Sequence, residues 1–298
     1  PGFTGTAFDG MISVGSLSAF FDILFCCGGL LTLIAARPFL EREKLEHDEF
    51  HSMILFAVSG MMLIAHSNNL LILFIGVEVM SVCFYVLSGY MRSSVRSVEA
   101  ALKYFLLGAF ATGFLVYGMA LIYGATGSFD YNMIYMASHN ELRFPALMMI
   151  GIGLLIIGLS FKAAAFPFHQ WAPDVYQGSP TIFTATMATI VKIAAFGALF
   201  QFLRYLGNNV GEWMFWLMSI VALASLVLGN IMAYTQTSVK RLLAYSSVVQ
   251  AGFILIGFLQ LKQEDSWPIL YYLVAYCLAS LVCFFVCYFV ENKKGSDH

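Results

Sequence analysis

Residues 158–180 read GLSFKAAAFPFHQWAPDVYQGSP, an apolar run that reaches a lysine and then three prolines. Proline has no amide hydrogen to donate, so Pro167, Pro173 and Pro180 predict a helix that is interrupted beyond Lys162. An interruption at membrane depth is tolerated only inside protein or beside a water-filled cavity. In transporters such interruptions often mark ion sites. The pattern therefore indicates that Lys162 lies beside polar groups rather than lipid.

The whole chain is too apolar for a water-soluble protein. Of its 298 residues, 60% are hydrophobic and only 11% are charged, and the mean hydropathy is +0.81. A soluble domain carries about a quarter charged residues. The net charge of −2 comes without the basic stripe that nucleic-acid binding requires. The chain is therefore predicted to have the lipid bilayer, and no nucleic acid, as a partner.

The apolar segments predict an all-α, polytopic membrane protein with about nine transmembrane helices in one transmembrane domain, residues 1–298. A bilayer core is crossed by about 20 apolar residues of helix, and the alternating pattern of a membrane β-barrel does not occur. The predicted segments lie near 11–36, 50–66, 69–90, 99–123, 145–166, 180–204, 213–235, 241–260 and 267–290. The charged run Arg37–Asp48 is predicted to be a connection, and Gly124–Phe144 a solvated connection with a short surface helix.

The distribution of lysine and arginine predicts the orientation in the membrane. Nine of these residues fall in odd-numbered connections or at the C-terminal end, against three in even-numbered connections. The nine are Arg37, Arg42, Lys44, Arg92, Arg96, Lys240, Arg241, Lys293 and Lys294, and the three are Arg143, Arg204 and Lys262. Because positively charged loops stay on the cytoplasmic (or matrix) side, the C-terminal end is predicted to lie on that side.

The six cysteines all lie in apolar segments and are predicted to be small buried side chains. Cys283 and Cys287 share a helix face, but no histidine or further cysteine completes a set of metal ligands. No metal site is therefore expected.

Three charged residues lie deep in apolar segments, where each needs a partner, water or a function. Glu78 and Lys192 lie near the middle of their helices, and Lys162 lies near the end of its own. Glu78 is either a neutral acid bonded to a neighbouring helix or a member of an ion pathway. Lys162 is either a snorkelling lysine or a pathway residue, and the broken helix favours the second. We predict that Glu78, Lys162 and Lys192 carry the function.

Three further residues are possible members of a pathway. Lys103 has Glu99 four residues earlier, so a structural ion pair is as good an interpretation as a pathway role. Asp22 suits a helix–helix hydrogen bond or a proton site. His169 is either a relay or a polar residue at the helix break.

The chain resembles the antiporter-like membrane subunits of respiratory complex I, and most closely their subunit N branch. The stretch 158–180, with its Asp174–Pro180 end DVYQGSP, carries the resemblance. EAALKYFLLG at 99–108, GNIMA at 229–233 and SVKRLLAYSS at 238–247 extend it over nearly the whole chain.

This resemblance implies a fold of about fourteen helices with two inverted five-helix repeats. The nine segments correspond to the third through the eleventh, so 50–204 is expected to form one half-channel and 213–290 the start of another. The chain is expected to be a fragment or an incompletely covered subunit. Glu78 and Lys162 correspond to a conserved charged pair, and Lys192 to a central proton-carrying group.

The implied function is proton translocation coupled to quinone reduction elsewhere in NADH:quinone oxidoreductase, with other membrane-arm subunits as partners. NADH, FMN, iron–sulfur clusters and quinone are expected on other subunits, because this chain has no flavin fingerprint and no cluster-type cysteines. Two alternatives stay open: a subunit of a multisubunit cation/proton antiporter, and a purely structural membrane-arm subunit. The sequence does not say whether the ion is H⁺ or Na⁺.

Overall fold

The computed structural model describes residues 4–45, 47–139, 144–206, 212–259 and 267–294. Its elements are β1 (Gly5–Ala7), β2 (Ile12–Val14), α1 (Ser16–Glu43), α2 (Asp48–His66), α3 (Leu70–Ser88), α4 (Val95–Thr126), α5 (Tyr131–His139), α6 (Pro145–Lys162), α7 (Trp171–Gly178), α8 (Thr181–Thr186), α9 (Lys192–Leu206), α10 (Glu212–Tyr234), α11 (Val239–Leu259) and α12 (Trp267–Lys294). Within these residues, nine helical stretches are long and apolar enough to cross a membrane. The prediction of an all-α protein with about nine transmembrane helices is confirmed.

The span Thr181–Leu206 forms the centre of the bundle. It joins α8 to α9 through a π-helical turn, Met187–Val191, that the sequence pattern did not predict. Every residue from Thr181 to Leu203 is buried, whereas the other spans are each exposed along one side. Lys192, the first residue of α9, therefore lies at the middle of the molecule.

Close contact between neighbouring helices depends on glycine at two crossings. A Cβ atom on Gly60 of α2 would lie 2.8 Å from the carbonyl oxygen of Gly76 in α3. A Cβ atom on Gly118 of α4 would lie 2.7 Å from the carbonyl oxygen of Gly151 in α6. Small residues at such crossings let two backbones approach and pack in a membrane. The second crossing brings α4 against α6, the helix that carries Lys162.

The beginning of the chain differs from the prediction. A two-stranded hairpin, with Gly5 opposite Val14, precedes α1, so the first helix begins at Ser16 rather than near residue 11. Ile12 also forms a bridge with Ser67, and the side chain of Asn68 donates to the carbonyl of Gly10. These bonds join the hairpin to residues 67 and 68, far along the chain. Hydrophobic periodicity within one segment cannot predict such long-range pairing.

The end of α1 is also different. The helix continues through Pro38 to Glu43, although the charged run from Arg37 was predicted to be a connection. An ion pair between Arg37 and Glu41, 2.8 Å apart, follows the i,i+4 spacing of a helix. Lys44 then ends α1 with a left-handed backbone conformation. The connection that follows α4 holds α5, so the predicted surface helix is confirmed.

Some predictions fall on residues outside the described ranges, and others are corrected by the structure. Arg143 and Lys262 lie outside them. Lys240, assigned to a connection, is a buried residue of α11 with 6% exposure. The prediction of buried cysteines is wrong for Cys26, Cys27 and Cys283, which are exposed, and holds for Cys83 and Cys277. Cys287 is only partly buried.

Candidate functional site

The helix break is present and lies within the bundle. Helix α6 ends at Lys162, the turn 163–170 follows, and α7 resumes at Trp171. Ala165 donates its amide to the carbonyl of Ser160, and Phe166 donates its amide to the hydroxyl of Ser225, in the middle of α10. Groups freed by the interruption therefore bind protein rather than lipid, as membrane depth requires. The predicted interruption is confirmed.

Lys162 lies against polar side chains of α3. Its ammonium is 3.6 Å from Oε1 of Glu78 and donates to the hydroxyls of Ser81 and Tyr85, each at 2.8 Å. Only 4% of Lys162 is exposed, so this lysine does not snorkel to the surface. Thr112 of α4 donates to the same Oε1 of Glu78 at 2.8 Å. The structure thus brings Glu78 and Lys162 into one polar cluster.

Lys192 occupies a separate site against α11. It is 1% exposed, and its ammonium donates to the carbonyl oxygen of Ser247 at 2.6 Å and to the Ser247 hydroxyl at 3.0 Å. Ser247 belongs to α11, so this lysine joins the central span to the helices that follow it. None of the ion pairs among the described residues includes Lys192. Within the described part of the chain, it shares no hydrogen-bond partner with Lys162.

His169 lies in the turn that interrupts the helix. It is 4% exposed, and its ring centroid is 5.4 Å from that of Phe166 and 6.2 Å from that of Tyr245 in α11. Its Nδ1 atom is buried and makes no hydrogen bond to any described residue. A buried polar atom of this kind normally binds water. The relay role of His169 stays a prediction.

Lys103 takes part in an ion network at the end of the bundle where α7 ends. Its ammonium is 2.7 Å from Glu99, as the spacing predicted, and 2.8 Å from Asp174 of α7. The other carboxylate oxygen of Asp174 is 2.6 Å from Arg241 of α11. A cavity of about 170 Å³ opens beside this network. The contacts favour a structural role for Lys103, and a pathway role stays untested.

Asp22 lies near the opposite end of the bundle. Its Oδ2 atom is 2.8 Å from Nε2 of His66, and Nδ1 of His66 is 2.9 Å from the carbonyl oxygen of Ser13. The histidine therefore links α1, the end of α2 and the β-hairpin. Of the two interpretations of Asp22, the helix–helix hydrogen bond is the one for which the structure supplies a partner.

The neutral side chains that bind Lys162 and Lys192 were not predicted from the sequence. Ser81 and Tyr85 follow Glu78 by three and seven residues, a spacing that places all three on one face of α3. That polar stripe in an apolar helix was a usable signal. Ser247 offered none, because its contact with Lys192 joins residues 55 positions apart.

A model of one protein family matches most of the chain. The transmembrane model described as NADH:quinone oxidoreductase/Mrp antiporter matches residues 67–298. The chain belongs to this family.

Within the NADH:quinone oxidoreductase/Mrp antiporter family, the similar curated relatives are named NADH-quinone oxidoreductase subunit N. The protein from Chloroherpeton thalassium is 44% identical over 291 residues, which are 96% of this chain and 61% of that relative. The protein from Salinibacter ruber is 41% identical over 294 residues, 98% of this chain and 58% of the relative. The chain thus spans less than two thirds of the length of these relatives.

Three solved structures share the fold. A chain of respiratory complex I from Thermus thermophilus has a TM-score of 0.78 and 36% identity, over 96% of this chain and 60% of that one. A chain of the archaeal membrane-bound sulfane sulfur reductase has a TM-score of 0.85 and 25% identity, over 98% of this chain and 60% of that one. A chain of the Mrp complex from Dietzia sp. has a TM-score of 0.77 at 22% identity, over 92% of this chain and 50% of that one, which is a likeness of fold.

Proposed function

We propose that this chain belongs to a proton-translocating membrane-arm subunit of NADH:quinone oxidoreductase. Its partners are the other membrane-arm subunits, the lipid bilayer and the translocated protons. Quinone reduction elsewhere in the complex supplies the energy. The relatives named subunit N, at 41–44% identity, support this assignment over a cation/proton antiporter, since the Mrp chain is only 22% identical.

The loose pair of Glu78 and Lys162 is the observation that carries the proposal. A buried ammonium 3.6 Å from a partly exposed carboxylate, at the end of a broken helix, costs more free energy than an apolar pair would, which points to a function for the charges. A nearby carboxylate favours the charged form of a lysine, and burial disfavours it. A change in the distance between these two side chains therefore changes how firmly Lys162 holds its proton.

Lys192 is the proposed proton carrier that responds to that pair. Charges interact over longer distances in a low-dielectric interior than in water, so the charge on Lys162 acts on Lys192 without direct contact. The first half-channel comprises residues 50–204, and residues 213–290 begin the second, in the opposite orientation. His169, in the turn between the two lysines, is a candidate relay.

The proposed location is the bacterial inner membrane, with the C-terminal end of this chain in the cytoplasm. The arginine and lysine residues of the α1 end, the α4 start and the α11 start lie at one end of the bundle, where Asp174 binds both Lys103 and Arg241. The positive-inside rule makes that end cytoplasmic.

Exchanging the two members of the charged pair tests the proposal against a purely structural subunit. The double variant Glu78→Lys/Lys162→Glu keeps one positive and one negative charge in contact. We expect the subunit to assemble, and proton translocation per NADH oxidised in vesicles to fall by about an order of magnitude or more, a loss typical of misplaced proton-transfer groups. Normal translocation in the exchanged variant contradicts the proposal and favours an inert pair.

A further inference from the structure

The separation of Glu78 and Lys162 has a local cause in three hydroxyl groups. Thr112 donates to Oε1 of Glu78 at 2.8 Å, while the hydroxyls of Ser81 and Tyr85 accept from Lys162 at 2.8 Å. Each charge therefore has neutral partners closer than its counter-ion, 3.6 Å away. Contact ion pairs with a direct hydrogen bond are typically about 2.7–2.9 Å apart. The hydroxyls hold this pair apart.

Tyr85 is the most firmly placed of the three. It is 6% exposed, and its ring meets that of Tyr104 at 4.8 Å, edge to face, with an interplanar angle of 86°. Its hydroxyl lies over Gly108 of α4, where an added Cβ atom would be only 2.1 Å from the phenol oxygen. Only glycine leaves room for this hydroxyl beside α4.

The aromatic contacts continue to the second half of the broken helix. Tyr104 stacks on Trp171, the first residue of α7, at 4.5 Å and 13°. Nε1 of Trp171 donates at 2.9 Å to the carbonyl oxygen of Phe161, the residue before Lys162. Aromatic pairs of these two geometries are favourable beyond simple burial. A displacement of α7 is therefore transmitted through two rings to the hydroxyl that binds Lys162.

We propose that Tyr85 is a positioning residue that links the Lys162 ammonium to the position of α7. The inference rests on the proposed proton translocation and deepens it. When α7 and α4 keep their present contact, the Tyr85 hydroxyl holds the ammonium away from Glu78. When the contact changes, the ammonium loses an acceptor and its interaction with Glu78 changes with it.

Two tyrosines of the same cluster provide a matched test. Tyr85→Phe and Tyr104→Phe each delete one hydroxyl and keep the ring, but of these two hydroxyls only that of Tyr85 is seen to bond Lys162. In the assembled complex in vesicles, we expect Tyr85→Phe to lower the number of protons translocated per NADH oxidised by about tenfold. That is the scale of one hydrogen bond to a charged group. Tyr104→Phe should stay within about twofold of the parent, a change smaller than one such bond.

Two glycines of α4 provide an independent test. Gly108→Ala forces the Tyr85 hydroxyl to move, whereas Gly113→Ala adds the same methyl group where no described atom of another helix lies within 4 Å. We expect the first variant to translocate protons as poorly as Tyr85→Phe, and the second to behave like the parent.

Three results would overturn the inference. They are normal translocation by Tyr85→Phe, equal losses in the two tyrosine variants, and failure of Tyr85→Phe to assemble on a native gel, which would make the hydroxyl a folding group. Lys162→Ala, measured alongside, separates this inference from the proposed function. If Lys162→Ala translocates protons normally, the proposed function fails, and if only Tyr85→Phe does, this inference alone fails.

Discussion

At the scale of single residues, the two buried lysines differ in how their charge is balanced. Lys162 has a carboxylate at 3.6 Å and two hydroxyls at 2.8 Å. Lys192 has only the carbonyl and hydroxyl of Ser247 among the described residues. The two lysines are therefore electrostatically unequal, as the proposed proton path assumes.

Thr112 offers a direct test of how the charged pair is held apart. Thr112→Val keeps the shape of the side chain and removes the hydroxyl that donates to Glu78. With its oxygen free, Glu78 should close on Lys162, so the Nζ–Oε1 distance should fall from 3.6 Å to about 2.8 Å in a structure of the variant. Proton translocation should slow, because a closed pair is harder to reopen.

Thr126→Val is the control for this variant. Thr126 lies at the end of the same helix, and its described hydrogen bonds all go to backbone groups of residues 122 and 128. It should leave both the distance and the translocation unchanged. An open pair in Thr112→Val would show that the threonine does not set the separation.

The charged residues within the apolar helices could be found from the sequence, but their environment could not. Glu78, Lys162 and Lys192 are conspicuous because each costs free energy in an apolar segment. Their neutral partners are serine, threonine and tyrosine, which cost little and are common in membrane helices. The 3.6 Å gap arises from contacts among α3, α4 and α6 that no single segment encodes.

At the scale of secondary structure, α7 is the element that joins α4 to α11. It is only eight residues long, with the turn 163–170 before it and Ser179–Pro180 after it. Asp174 binds Lys103 of α4 with one oxygen and Arg241 of α11 with the other. A helix this short has little stability of its own, so these ion pairs and the Trp171 stack hold it in place.

Asp174→Asn should therefore loosen α7. It removes the negative charge shared by Lys103 and Arg241, and partly exposed ion pairs contribute only about 1 kcal/mol. Amide hydrogen exchange in 171–178 should accelerate about fivefold, which corresponds to ~1 kcal/mol. Mass spectrometry of that peptide in the intact complex measures it.

Glu99→Gln is the matched control for Asp174→Asn. Glu99 also pairs with Lys103, but it lies on the same helix as that lysine and its side chain is 57% exposed. Its removal should leave exchange in α7 unchanged. Equal acceleration in both variants, or none in Asp174→Asn, contradicts the anchoring role of Asp174.

The helices themselves were largely predictable, and the exceptions have physical reasons. Length and hydropathy locate the spans because water-free lipid requires about 20 apolar residues. They fail where other forces act: the hairpin at 5–14 depends on backbone bonds to residues 67 and 68, and α1 extends beyond the apolar run because charged residues are stable in a helix outside lipid.

At the scale of the whole molecule, the orientation in the membrane can be tested with cysteine accessibility. In a cysteine-free background, Ser138→Cys on α5 should react with an impermeant thiol reagent added to intact cells. Glu43→Cys at the end of α1 should not. The reason is the nine-to-three bias of lysine and arginine, which places the end of α1 in the cytoplasm.

Permeabilised cells provide the control for this experiment, because both cysteines should then react. Reaction of Glu43→Cys alone in intact cells would reverse the proposed orientation, and with it the direction of the half-channel. It would leave the fold and the charged pair unaffected.

The proposed proton path runs through Lys192, which is 1% exposed at the middle of the central span and contacts α11. If it carries a proton, then Lys192→Ala deletes the carrier, and Lys192→Arg keeps the charge but does not release it, since guanidinium stays protonated. Both variants should assemble, because the first leaves a small apolar residue and the second retains a donor for Ser247.

The most direct measurement is proton translocation per NADH oxidised in vesicles containing the Lys192→Arg complex, with assembly checked on a native gel. We predict a complex that assembles and loses most of its translocation, as Lys192→Ala also does. If the assembled Lys192→Arg complex translocates protons like the parent, Lys192 is a structural charge and the proposed proton path is wrong.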